Sequence, residues 1–294
     1  MKSAESISDA SARLAAFVRE MALQINWDDK ELRIAIIICM SLIDAHCHPY
    51  ALRDLEDAVF RARAAGVTQV VAVSEDYDSM EQTLRLRDTF PDFILPGLGI
   101  HPATVASMSS AEWKTALSFL KNHAGEASCI GEIGLDFKVA ATERDKEKQR
   151  EALRAQMEVA AEQRLPVNLH SRRALRQTME EAIDFSRKTG LPALLHWFAH
   201  SKKLLKRTNA EHIFVSVGPS ILFSEEALSL ALAIDRRFLL IETDAPVSYG
   251  GKPASPAWAA EVAERLITSD PDNQLTKEIL LDNTRRFLHK DQEA

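Results

Sequence analysis

The residues of this sequence best suited to bind a metal or move a proton stand where short apolar runs end. The stretch SLIDAHCHPY (residues 41–50) carries His46 and His48 with Cys47 between them. Along a strand, side chains at i and i+2 share a face, so the two imidazoles point together and Cys47 points away. Two imidazoles side by side form a pair of metal ligands; the alternative is two ordinary surface histidines. Further along, GIHP holds His101, and GEIGLD holds Glu132 with Asp136 beyond the turn. NLHSR holds His170 and Arg172, LLHWFAH holds His196 and Trp197, and IETDAP holds Asp244. Five of the nine histidines thus fall at the ends of apolar runs, a concentration that random scatter does not produce.

Each residue also has a plainer reading. His101 could cap a loop rather than meet a substrate. His170 and His196, taken singly, could be hydrogen-bonded structural histidines, and Asp244 could be a helix N-cap. Glu132 is expensive to bury at the end of an apolar strand unless a cation pairs with it. Glu242 shares the direction of Asp244 one layer deeper and is expected to be structural. His123, His200, His212 and His289 are expected to be structural or solvent-facing. As a set, imidazoles and carboxylates suit zinc, manganese and similar divalent ions, with no thiolate to demand a soft metal. Six ligands (His46, His48, Glu132, His170, His196 and Asp244) exceed the need of one tetrahedral ion, and a bridging Glu132 is the simplest way to use them. Two ions about 3.5–4 Å apart hold the attacking and leaving oxygens of a phosphoryl displacement, with a metal-bound hydroxide as nucleophile.

Positioning such a set requires a ring of strands. After Met40, eight apolar runs recur, at 42–46, 69–73, 94–100, 128–132, 166–170, 193–196, 212–217 and 238–243, separated by helical patterns such as the charged segment 143–164. Strands alternating with helices imply a parallel sheet, and eight repeats predict a (β/α)8 TIM-type barrel over 40–294, with active-site residues at the C-terminal strand ends. Residues 1–39 stand outside the repeat. They form an expected amphipathic helix with Leu14, Phe17, Val18, Met21 and Ile25 on one side, suited to packing or to a protein contact. Of 294 residues, 46% are hydrophobic and 27% charged, enough for a full core. The net charge of −7 argues against a broad basic surface for duplex DNA, although bound cations supply local charge that a residue count misses. Three scattered cysteines, Cys39, Cys47 and Cys129, exclude a disulfide framework. Together with the absence of a signal peptide or membrane-length apolar run, they predict a soluble cytoplasmic protein.

The motifs DAHCH, GIHP, GEIGLDF, NLHSR, LLHWF and IETDAP, with VSVGPSILFS and DNTRRFL, resemble the TatD-type metal-dependent deoxyribonucleases of the amidohydrolase superfamily. The resemblance spans Met40 to the C-terminus. It implies one metal held by His46, His48, Glu132 and Asp244 and another by Glu132, His170 and His196, the ions being Zn, Mn or Mg. It also implies that Asp244 orients or deprotonates the attacking water, making Asp244 and Glu132 the catalytic pair, and that His101 lies near the substrate phosphate. The expected activity is 3′-to-5′ removal of nucleotides from DNA ends, and the acidic charge favours single-stranded or frayed ends. Arg172 and Trp197 are candidate substrate contacts. Trp197, Ala199 and His200 replace the family's usual cysteine, serine and glycine, and APVSYGGKP replaces its usual continuation after the aspartate, so the pocket wall differs. One alternative is an amidohydrolase acting on a different ester or amide. Many of those bridge their metals with a modified lysine where Glu132 stands. Another is a catalytically silent binding module, against which the complete ligand set speaks.

Overall fold

The computed structural model describes residues 41–198 and 202–288. The expected helix of residues 1–39, Ala199, His200 and His289 lie outside them. All eight apolar runs form strands: β1 Leu42–Cys47, β2 Val67–Val73, β3 Ile94–Leu98, β4 Cys129–Asp136, β5 Val167–Arg172, β6 Ala193–Leu195, β7 Phe214–Val217 and β8 Leu239–Ile241. They pair in parallel and in sequence order. Two backbone bonds join the rim at its ends: Asp244 N donates to His46 O (3.0 Å) and His48 N donates to Ala245 O (2.8 Å). The ring therefore closes through the residues flanking the first and last candidate ligands.

Helices fill the intervals: α1 Leu55–Ala64, α2 Tyr77–Thr89, α3 Pro102–Ser107, α4 Ser110–His123, α5 Glu143–Gln163, α6 Leu175–Thr189, α7 Lys202–Ala210 and α8 Glu225–Ala231, followed by α9 Trp258–Ser269 and α10 Lys277–Phe287. Their starts are written locally. Asp76, Ser109 and Thr142 form capping boxes with Ser79, Glu112 and Asp145, satisfying amides that the first helical turn leaves free. Gly190 ends α6 at φ 73°, a conformation costly for any residue with a Cβ. A short hairpin, β9 Ser248–Tyr249 and β10 Lys252–Pro253, follows β8. No helix among the described residues is long and apolar enough to cross a membrane.

Alternation along the strands separates two cores. Val70 and Ala72 join a cluster with helix residues such as Val59, Ala62 and Met80, whereas Val71 and Val73 join Ile43, Ala45, Leu95, Cys129, Leu194 and Leu240. The second cluster is the barrel interior, and Leu281 and Phe287 of α10 belong to it. The Phe287 ring lies 5.8 Å from that of Phe214, the first residue of β7. α10 therefore closes the N-terminal end of the strands.

Two strands break the alternation. Asp44 pairs with Val70 but Cys47 with Ala72, so between them β1 holds one extra residue, after an opposite slip between Leu42 and Ile43. Likewise Ile130 pairs with Val167 but Ile133 with Leu169, one extra residue in β4. Each bulge reverses the parity of the residues beyond it. Counted from Ile43, unbroken alternation would send His46 to the helix side; counted from Cys129, it would do the same to Glu132. The bulges return both to the interior and leave Cys47, as expected, in the helix-side core.

Candidate metal centre

Six strand ends converge at the mouth. β1 brings His46 and His48, β3 His101, β4 Glu132 and Asp136, β5 His170, β6 His196, and β8 Asp244. All but His170 are buried to 8% exposure or less, and His170 is half-buried. Gly131 and Gly134 let β4 run close to β5: a Cβ on Gly131 would lie 2.6 Å from Asn168 Cβ, and one on Gly134 would lie 2.1 Å from His170 O.

The ligand atoms fall into two halves with different spacing. In the first, His46 Nε2 lies 3.3 Å from His48 Nε2, 3.4 Å from Glu132 Oε2 and 3.6 Å from Asp244 Oδ1. His48 Nε2 lies 3.5 Å from Glu132 Oε2 and 3.2 Å from Asp244 Oδ1. A tetrahedral ion with bonds of about 2.1 Å has ligand–ligand edges of about 3.4 Å, so His46, His48 and Glu132 have the spacing to hold one divalent cation, with Asp244 at a similar distance from both imidazoles. In the second half, Glu132 Oε1 lies 2.6 Å from His170 Nδ1 and 2.8 Å from His196 Nε2, with the two rings' nitrogens 3.4 Å apart. These are hydrogen-bond lengths, and this half is drawn together as a carboxylate between imidazoles.

The outer nitrogens decide which lone pairs face inward. Asn168 donates through Nδ2 to Ala45 O (3.1 Å), so its Oδ1 accepts from His46 Nδ1 at 3.0 Å. Tyr50 donates to Glu75 Oε2 at 2.5 Å, and its oxygen faces His48 Nδ1 at 3.3 Å. Both rings therefore carry their proton outward and turn Nε2 into the centre, as metal-binding imidazoles do. His196 Nδ1 and His170 Nε2 have no partner within hydrogen-bond distance, but Glu242 Oε1 and Asp136 Oδ2 stand 3.7 and 3.8 Å from them. His101 is the reverse case. Its Nδ1 accepts from Ala103 N (3.1 Å), which places the neutral ring's proton on Nε2, 3.7 Å from Glu132 Oε1. His101, Glu132 and His170 are close enough to share an ion, yet His101 would have to become an anionic imidazolate to bind one. It is a hydrogen-bond donor into the mouth.

Electrostatics follow the same division. Burial opposes charge on Glu132, but His196, His101, His46 and His170 hold its carboxyl well below the usual range. Asp244 is buried too and kept low by His48, His46 and His196. Burial disfavours protonation of His196 and His170, yet Glu132 with Glu242 or Asp136 raises both. His48 is also raised against its burial, by Asp244 and Glu132. Only His101 falls, to about 4, because burial outweighs Glu132. The centre favours cations beside Glu132, protons and divalent ions competing for the same lone pairs.

Glu242 has the structural role expected of it. Its Oε1 accepts from Trp197 N (2.8 Å) and its Oε2 from Ser216 Oγ (2.6 Å). It can be grouped with His46 and His196 as a cation site, but both oxygens are already engaged. Asp244 is no helix cap: it sits at φ 50° in a turn, with Val247 N donating to its carbonyl. Arg172 stands exposed at the end of β5, and Trp197 is half-buried at φ 45° with its ring 5.4 Å from Tyr249. His123 bonds Glu126 and His212 stacks on Phe238, both far from the chemistry in role.

Sequence reasoning passed over Asn168, Tyr50, Glu75 and Asp44. Asn168 had a signal, a polar residue two before His170 on the same strand face. Glu75 had one too, a carboxylate just after β2. Asp44 accepts from Thr243 N (3.0 Å), from the Thr243 hydroxyl and from His46 N (3.2 Å), tying β1 to the segment that carries Asp244. Burial pushes its carboxyl up to about 8, against those bonds.

A family model described as TatD related DNase matches residues 43–289. The deoxyribonuclease TATDN3 of Homo sapiens is 33% identical over 219 residues, which cover 70% of this chain and 78% of that protein. A 3′-5′ ssDNA/RNA exonuclease TatD of Pectobacterium carotovorum is 30% identical over 203 residues, covering 66% and 74%. Among solved structures, YjjV, a TatD homolog from Escherichia coli K12, superposes with a TM-score of 0.73 at 25% identity, covering 85% of this chain and 98% of its own.

Proposed function

This chain belongs to the TatD-related DNase family, and we propose that it is a metal-dependent phosphodiesterase that shortens single-stranded or frayed DNA ends from the 3′ side. In this reading, His46, His48, Glu132 and Asp244 hold one divalent ion, and Glu132, His170 and His196 hold a second. The observation that carries it is the set of five ligand separations between 3.2 and 3.6 Å around His46 and His48. Bound divalent cations at such a site lower the pKa of water and neutralise phosphoryl oxygens.

The protein's own groups supply the rest. Asp244, kept ionised by the surrounding imidazoles, accepts a proton from the attacking water and fixes its direction. His101, neutral and carrying its proton on Nε2, donates to a non-bridging phosphate oxygen. Arg172 offers a full charge outside the centre, where the next phosphate of a strand would pass. Trp197 forms the pocket wall beside His196. Buried free thiols at Cys47 and Cys129 support the cytoplasmic setting proposed from the cysteine pattern.

An oligonucleotide labelled at either end, incubated with manganese or magnesium and then with chelator, tests the reading. Stepwise shortening of the 5′-labelled strand that stops with chelator is expected. Protein that carries two ions per chain yet leaves every oligonucleotide intact would overturn it and favour a different ester.

A further inference from the structure

Four large hydrophobic side chains stand exposed among the described residues: Phe60, Val139, Phe223 and Val247. The last three lie on loops that come after β4, β7 and β8, at the end of the barrel where the metal centre opens. Soluble surfaces do carry single apolar residues, and Val139 stands apart on the β4 loop, but Phe223 and Val247 follow neighbouring strands. Phe223 is the most exposed of the three, at 59%.

Phe223 connects to the centre through the hairpin that carries Gly250 and Tyr249. It ends the single turn Pro219–Leu222 after β7 and lies against Gly250, where a Cβ would come within 3.2 Å of its ring. Gly250 follows Tyr249, whose ring is 5.4 Å from Trp197, and Trp197 hangs by its amide from Glu242 beside His196. Trp258 backs Phe223 at 6.3 Å. Tyr249 is buried and Trp197 half-buried, so Phe223 is the most exposed of these rings.

The loops after β4 and β5 carry exposed cations. Lys138 follows β4, and Arg172 and Arg173 end or follow β5; all three are exposed, and none has a carboxylate at salt-bridge distance among the described residues. Arg172 ends β5 and Phe223 follows β7, two strands apart in the eight-strand ring, with the β6 loop of Trp197 between them. A single strand of nucleic acid has the same two-sidedness, phosphates along one edge and bare base faces along the other, whereas a duplex hides its base faces. Stacking on an aromatic ring is open to every base.

We propose that Phe223 is a nucleobase platform that holds a base of the single strand while Arg172 and its neighbours track the phosphates. This inference rests on the phosphodiesterase reading above. Trp197, whose ring packs on Tyr249, remains part of the pocket wall beside it.

The test measures binding of metal-loaded protein to a hydrolysis-resistant phosphorothioate hexathymidylate and to an abasic hexamer of the same length. Phe223→Leu, which keeps an apolar side chain but removes the ring, should weaken hexathymidylate binding by about ten-fold. It should leave the abasic strand unchanged, and Phe223→Trp should restore wild-type affinity. On a cleavable strand the same variant should raise KM and spare kcat. Equal binding by wild type and Phe223→Leu, or equal losses on both hexamers, would overturn the platform. A base-dependent loss in a protein that cleaves no oligonucleotide would retire the hydrolase reading and keep the platform. Cleavage with unchanged binding would do the reverse.

Discussion

The two ends of the barrel are built from the same eight strands and obey opposite rules. At the N-terminal end, Phe214, Phe238, Leu281 and Phe287 close an apolar floor. The polar group beneath it, Asn283, donates to two backbone carbonyls, Arg236 O and Leu239 O, at 2.6 and 2.8 Å. At the C-terminal end, imidazoles and carboxylates are buried together, with Nε2 atoms of His46 and His48 only 3.3 Å apart. Backbone strain divides similarly. Arg164 and His212 adopt positive φ just past helix ends, where the conformation is usual, while Arg173, Trp197 and Asp244 adopt it on the loops around the centre. The floor is arranged for packing and the mouth for ligands. Stability and activity should therefore be separable by which end is changed.

The sharpest break in that comparison is expected at Glu132, which serves both halves of the centre. Loss of a residue that merely orients a ligand typically costs 10–100-fold, so Glu132→Gln should lower hydrolysis by about a hundred-fold or more. Its fold should survive because glutamine keeps the packing volume, with the midpoint lowered as His170 and His196 lose the buried counter-charge that raises their pKa. A collapse of the fold instead would show that the mouth is also structural. At the other end, Phe287→Ala should cost about 3–5 kcal/mol in denaturant unfolding, with unchanged kcat per folded molecule; a changed kcat would erase the division.

Smaller effects probe the outer partners. Asn168→Ala should weaken metal binding about 10–100-fold, because His46 loses the acceptor that fixes its tautomer. Calorimetric titration of the metal-stripped protein checks this. Such a titration of wild type should also resolve two ions with the first bound more tightly, since only the half around His46 and His48 has ligand spacing. The smallest change is expected for Tyr50→Phe. It removes the oxygen facing His48 and leaves Glu75 free to rotate toward solvent, with metal affinity falling about ten-fold and stability scarcely moving. A loss equal to that of Asn168→Ala would mean that Tyr50 and Glu75 do more than orient one ring.

Much of this was legible in the chain, for reasons that are local. Apolar runs punctuated by helical patterns mark all eight strands to within a few residues, because periodicity is a property of neighbours. The candidate ligands could be found by asking what stands at each strand end, and their motifs point to the family. The strand-end question was not put to β2, so Glu75 was missed, and Asn168 was hidden inside a run read as core. His101 stands at a strand end in the sequence, but only the amide of Ala103 shows that its remaining proton is on Nε2, toward Glu132.

Sequence alone therefore determined the barrel, the ligand types and the chemistry they suit. Tertiary structure decided where those ligands point. Alternation counted along β1 and β4 sends His46 and Glu132 to the helix side, and one extra residue in each strand, visible only against its partner's register, turns them inward. The same holds for the proton on His46, set by an asparagine 122 residues away. It holds too for the closing of Asp244 onto β1 across 198 residues. Spacing along the chain fixes what a segment becomes, but partners this distant meet only when the ring closes.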